Sequence, residues 1–236
     1  EGKVWNKFFP TTAELAKFIS VQDGLGRTVY HACAAFGTPD SRKQSNSIGA
    51  KAFWLDVDAG EGKPYDDAAS AAEAVHEFVA RARLPPPLYV GSGNGVHIYW
   101  PLGEILGSRE WLRYATGLGK LVRSHGLQVD GARTCDLASV LRTPGTHHRK
   151  GVAKLVRAGE LVGPYDISEF KCFLEGGSDD EVHLRTSQLR NGSARASLGV
   201  VPSIIAAAAN IYADEPHYTE PVVRGCVQVA RLALAN

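Results

Sequence analysis

Lys51-Ala52-Phe53-Trp54-Leu55-Asp56-Val57-Asp58 is a short, strongly apolar run that ends in two acids. Its length and its aromatic content suit a strand. Side chains two apart on a strand share a face, roughly 7 Å from one another. Val57 therefore turns inward while Asp56 and Asp58 point out together. Neighbouring carboxylates repel unless a cation neutralises them. Hard divalent ions take oxygen ligands, and a pair of such ions supports in-line phosphoryl or nucleotidyl transfer. A strand end running into a solvated turn explains the two acids equally well, so the flanking sequence has to decide.

On the N-terminal side, Thr11 with Glu14 forms a capping box, and Leu15, Phe18 and Ile19 follow at helical spacing. Thr28 to Phe36 alternates loosely and suits a strand. On the C-terminal side comes a turn with Gly60, Gly62 and Pro64. Then Ala68, Ala72, Val75, Val79 and Ala82 make one stripe of a helix that stops before Pro85-Pro86-Pro87. Pro87 to Val90 and Val96 to Trp100 read as the arms of a hairpin. Ser108 is expected to cap a helix with Trp111, Ala115, Leu118, Val122 and His125 on its apolar face. Val129 to Arg142 and Val152 to Val156 are expected to supply the last strands. Interspersed strands and helices give a mixed α/β (α+β) domain over residues 1–175, with antiparallel-rich sheets flanked by helices. Glycine, serine and acidic residues mark a linker over 176–198, and a small helical segment, expected to continue further, occupies 199–236.

Composition narrows the class. The chain has 236 residues, 44% apolar and 22% charged, which suits a globular domain with a substantial core. It holds no apolar run of membrane-spanning length and no signal-peptide pattern, so a cytoplasmic protein without a membrane partner is expected. It also has no methionine, and a processed or shortened form is expected. Cys33, Cys135, Cys172 and Cys226 stand singly, so no zinc site is predicted and free thiols in a reducing compartment are expected. Net charge is +1, but Leu137 to Gly159 carries no carboxylate and holds Arg142, Arg149, Lys150, Lys154 and Arg157. A local positive surface suits a phosphate-bearing ligand.

Two further stretches carry chemistry. Gly91-Ser92-Gly93-Asn94-Gly95 lets backbone N–H groups and the Ser92 hydroxyl approach a phosphate, and His97 emerges on the Tyr99 face of the strand that follows. A tight hairpin with a structural histidine is the competing reading. The second stretch runs from Val129-Asp130 through Asp136 to Arg142 and the turn Pro144-Gly145-Thr146-His147-His148-Arg149-Lys150. It offers one more acid and several phosphate contacts, because arginine suits bidentate phosphate binding. His147 and His148 are adjacent on a strand and point apart, which argues against their forming a metal pair.

Read in order, FWLDVD (53–58), SGNGVHIYW (92–100) and the stretch from Val129-Asp130 through VLRTPGTHHRKG (140–151) resemble the three motifs of the archaeo-eukaryotic primase superfamily. The nearest resemblance is to the primase-polymerases of phages and plasmids, over roughly residues 40–157. It implies a primase-polymerase catalytic core with Asp56 and Asp58 as metal ligands and Asp130 as the third, Asp136 being the alternative. It further implies that Ser92, Gly93, His97, Arg142 and His148 bind the nucleotide, with Lys150 a weaker candidate. The implied cofactor is Mg²⁺ or Mn²⁺, and the implied partners are single-stranded DNA and dNTP or NTP. A helicase, fused or in trans, often accompanies such domains, although no GxxxxGK[ST] motif occurs in this chain. The activity implied is DNA-dependent nucleotidyl transfer in phage or plasmid replication. A metal-dependent nuclease or phosphohydrolase could use the same acids, and a non-catalytic single-strand or origin-binding module could keep the same fold.

Overall fold

The computed structural model describes residues 6–175. In chain order the helices and strands are α1 (Thr12–Gly24), β1 (Tyr30–Ala32), β2 (Ala35–Phe36), β3 (Ser47–Asp58), α2 (Ala68–Arg81), β4 (Leu88–Gly91), β5 (Gly95–Gly107), α3 (Ser108–Ser124), α4 (Gly131–Thr134), β6 (Val140–Arg142), β7 (His147–His148), β8 (Lys154–Leu155), β9 (Arg157–Ala158) and α5 (Cys172–Glu175). The main sheet has five strands in the order β2-β3-β5-β4-β9, all paired antiparallel. β1 pairs with β6 and β7 with β8 in two small separate sheets. The architecture is mixed α/β with antiparallel sheets flanked by helices. The segments 176–198 and 199–236, read above as linker and helix, lie outside the described residues.

The pairing of β3 with β5 fixes which residues share a face. Asp56 lies opposite His97, Trp54 opposite Tyr99 and Asp58 opposite Gly95. Directly opposed residues of an antiparallel pair project to the same side. Phe53, Leu55 and Val57 consequently face the other way together with Trp100, Ile98 and Val96, and all six are buried. On that side the Phe53 ring meets Trp111 and Tyr114 of α3, and Phe170 and Phe173 near the C-terminal end of the described chain. α2 adds Ala71, Val75, Phe78 and Val79, so the stripe expected from its apolar spacing is rotated slightly to bring Phe78 inside.

Three sequence expectations differ from the structure in instructive ways. Thr28–Phe36 is not one strand: it breaks at Cys33-Ala34, β1 joining β6 and β2 joining β3. The helix after Gly107 is capped by Gly107 itself, while the Ser108 hydroxyl donates to the Ser47 carbonyl oxygen at 2.7 Å. Val129–Arg142 is strand only at its end. Asp130 caps the short helix α4, accepting from the Ala132 N–H at 3.1 Å, and its own N–H donates to the Asp56 carbonyl at 2.8 Å. Asp136 folds a second turn by accepting from the Ala138 N–H at 2.8 Å. Short acidic side chains that bond to nearby backbone compete with extended structure. The flank of β3 is thus closed by caps and a tryptophan, the Trp111 indole N–H donating to the Ala52 carbonyl at 2.8 Å. That protects an otherwise open strand edge.

Candidate active site

Asp56 and Asp58 occupy the C-terminal end of β3, on the face that also carries Tyr99. His31 of β1 lies against Tyr99, with ring centroids 6.3 Å apart, which marks that side. The Asp56 side chain is 15% exposed, and its Oδ1 is 3.6 Å from His97 Nε2. Burial is the main reason the Asp56 carboxyl is pushed up to about 6. Asp58 and Asp130 push in the same direction, and Arg133 and Arg142 oppose them. His97 is held down to about 3, chiefly by burial and then by the positive fields of His31, Arg142 and Arg133. The imidazole is therefore neutral, and its approach to Asp56 is not an ion pair. Its Nδ1 is buried and finds no hydrogen-bond partner among the described residues.

Asp130 reaches the same place from α4. Its Oδ2 is 3.2 Å from Arg133 Nε, and the same nitrogen is 3.3 Å from Asp56 Oδ2. One guanidinium thus spans the two carboxylates. Asp58 is drawn the other way by Lys63, at 2.7 Å. Asp136, the alternative third acid, is committed to its own turn through Ala138 and the Ser139 hydroxyl. Among the described residues no three His, Cys, Asp or Glu side chains stand together as a ready metal cage. Arg133 and Lys63 are the cations that the acids contact instead.

The glycine turn is tighter than its sequence implies. Gly91 and Gly95 belong to β4 and β5, and the Ser92 N–H closes the turn by donating to the Gly95 carbonyl at 2.9 Å. Gly95 is needed because a Cβ there would stand 2.3 Å from the Val57 carbonyl oxygen. Gly93 has φ +102°, and a Cβ would meet the His148 ring at 2.6 Å. Ser92 and His148 are both buried here. Burial, followed by Arg142, Lys154 and Lys150, lowers the His148 pKa. Lys154 also ties β8 to the turn through Asn94 Oδ1 at 2.9 Å.

The predicted residues fall into two neighbouring groups. Asp56, Asp58, Asp130 and His97 form one, and Ser92, Gly93 and His148 the other. Arg142 joins them, since its charge acts on Asp56, His97 and His148 alike. It is steadied by Tyr30, donating to the phenol oxygen at 3.0 Å and lying 5.1 Å from the ring centroid. His147 points away from His148 and meets the Asp23 carboxylate of α1 at 2.8 Å, and Arg149 meets the same carboxylate at 2.5 Å, so neither belongs to the site.

Sequence reasoning missed Arg133, Lys63 and Tyr30 as members of this region. The i, i+3 spacing of Asp130 and Arg133 on α4 was the available signal for the first. It also missed His31, buried beside Tyr99 and pushed down to about 4 by that burial.

No helix among the described residues is long and apolar enough to cross a membrane. No family model matches the chain, and no curated protein matches it. Among solved structures, the chain is similar to the AEP domain of the primase-polymerase of cyanophage S-2L, with 14% identity and a TM-score of 0.49, over 67% of this chain and 76% of that one.

Proposed function

We propose that the chain is a DNA-dependent nucleotidyltransferase, a primase or DNA polymerase that makes or extends primers on single-stranded DNA, with residues 1–175 as its catalytic unit. The observation that carries this reading is the cross-strand pair of Asp56 and His97, with Asp58 on the same face and Asp130 hydrogen-bonded to the Asp56 backbone. A largely buried carboxylate beside two further acids costs stability, and it makes physical sense where a cation binds. The three sequence motifs that resemble the primase superfamily supply exactly these residue types, in chain order.

The donor set of Asp56, Asp58 and Asp130 is oxygen only, which fits Mg²⁺ or Mn²⁺. Such ions, when bound, supply charge neutralisation at the triphosphate, a more acidic attacking 3′-hydroxyl and stabilisation of the departing pyrophosphate. The remaining work falls to the chain's own side chains. The neutral His97 imidazole presents an N–H to a phosphate oxygen without titrating near neutral pH. The Ser92 hydroxyl and the Arg142 guanidinium hold the same triphosphate, and His148 with Lys150 extends the anionic subsite. Holding the α-phosphate in line with the hydroxyl supplies much of the rate. The basic stretch from Arg142 to Arg157 offers phosphate contacts to a template strand, with affinity that falls as salt rises.

Incubation with single-stranded template, labelled nucleotides and Mn²⁺ tests the reading. Extension should occur and should be lost in both Asp56→Ala and Asp58→Ala. Template shortened without added nucleotide would point to a nuclease. Template binding without extension, indifferent to both substitutions, would point to a non-catalytic module.

A further inference from the structure

We infer that Arg133 is a resident counter-cation of the acid cluster, holding Asp56 and Asp130 together in the metal-free protein and leaving them when a divalent ion binds. The inference rests on the metal-binding role proposed above for these two acids. Its own basis is the position of one nitrogen: Arg133 Nε lies 3.3 Å from Asp56 Oδ2 and 3.2 Å from Asp130 Oδ2, a bridge between carboxylates from two different elements. An oxygen-liganded cation serving both acids would have to take over these contacts.

The rest of the residue is arranged so that the side chain alone can move. The Arg133 carbonyl accepts from the Trp54 indole N–H at 2.9 Å and from the Ser139 hydroxyl at 3.1 Å, which pins the backbone to β3 and to the following turn. The side chain is 40% exposed, and besides the acids its guanidinium donates to the Val140 carbonyl at 3.3 Å. Release therefore exchanges two charge-assisted contacts for water without disturbing a buried element. Lys63 does the same for Asp58 from the exposed side of the cluster. Each acid of the cluster thus has a cation of the chain's own, which offsets like-charge repulsion when no metal is present. The freed Arg133 remains beside the site, where its planar fork suits a phosphate oxygen pair.

Mn²⁺ binding, followed by the loss of the free-ion electron paramagnetic resonance signal, tests this without any turnover. Arg133→Gln should bind Mn²⁺ at least about tenfold more tightly than the parent protein, because its two charge-assisted contacts no longer compete. Arg142→Gln is the charge control, because Arg142 acts on Asp56 only through space. It should tighten binding by a clearly smaller factor. In parallel, the Arg133 Nε–H resonance of the parent protein, assigned by its disappearance in Arg133→Lys, should move to the position of a solvated arginine as Mg²⁺ is added. That measurement needs no variant to fold unaided beyond the assignment. Unchanged or weaker Mn²⁺ binding in Arg133→Gln would overturn the inference. So would equal tightening in Arg142→Gln, or an Arg133 resonance indifferent to Mg²⁺ at saturation. If instead Asp56→Asn binds Mn²⁺ as well as the parent does, the metal site itself is refuted and the proposed function fails with it.

Discussion

Asp56 is a residue whose ionised form the fold tolerates at a cost. Its carboxyl is raised to about 6 from the ordinary 3.8, by burial first and by Asp58 next. An acid with a raised folded-state pKa destabilises the fold wherever it is ionised. The penalty is complete above pH 6, shrinks as pH falls through 6, and is gone below the unfolded value of 3.8. A difference of this size corresponds to about 3 kcal/mol. In a chelator at pH 8, Asp56→Asn should therefore melt several degrees above the parent protein, and the difference should shrink through pH 6 and vanish only below about pH 3. A variant that melts lower at pH 8 would mean that the Asp56 charge stabilises the metal-free fold. The pair Asp56 and Asp58 was legible in the sequence because strand alternation alone puts both on one face. Arg133 was not, because its contact with Asp56 depends on α4 docking against β3; its i, i+3 spacing from Asp130 was the one local hint of a partner, and it says nothing of Asp56.

At the scale of elements, the β4–β5 turn and the β7–β8 hairpin form one unit around Gly93. Two separate demands exclude a side chain there, a φ of +102° and the His148 ring in the space a Cβ would take. Gly60 separates them, having φ +110° with nothing within 4 Å of its Cβ position. Gly60→Ala should lose only the backbone term, about 1–3 kcal/mol. Gly93→Ala should lose more and should also weaken binding of a fluorescent nucleoside triphosphate, because His148 must shift. Equal losses of stability and unchanged nucleotide binding in the two variants would remove His148 from the site. The glycine spacing was visible in the sequence, but two steric reasons for it were not: Gly93 makes room for a histidine from another hairpin and Gly95 for a carbonyl of β3. The 129–142 segment shows the same limit. Its scattered apolar residues suggest a strand, yet Asp130 and Asp136 each capture nearby N–H groups and turn the chain instead.

Across the whole molecule, the acids stand on one face of a sheet whose opposite face is sealed by residues from the far end of the described chain. Phe170 and Phe173 are fully buried against Phe53, three residues before Asp56 on the same strand. The fit against α3 is close enough that a Cβ on Gly117 would stand 1.5 Å from the Phe173 carbonyl oxygen. The composition shift after Glu175 suggested a boundary in the sequence, but nothing local announced that Phe170 and Phe173, just before it, complete the core under the site. Truncating a buried phenylalanine costs about 3–5 kcal/mol. A fragment ending at residue 176 should therefore melt cooperatively, close to the transition of the same domain in the full chain, and should keep Mn²⁺ binding. A fragment ending at residue 165 lacks both rings, and its combined loss rivals the roughly 5–15 kcal/mol total stability of a domain. It should show no cooperative transition. Phe173→Ala in the longer fragment is the graded version: it should lower the melting temperature markedly and loosen β3, so that Mn²⁺ affinity falls with stability. Retention of cooperative melting by the shorter fragment would show that the sheet holds Asp56 and His97 in register without this seal.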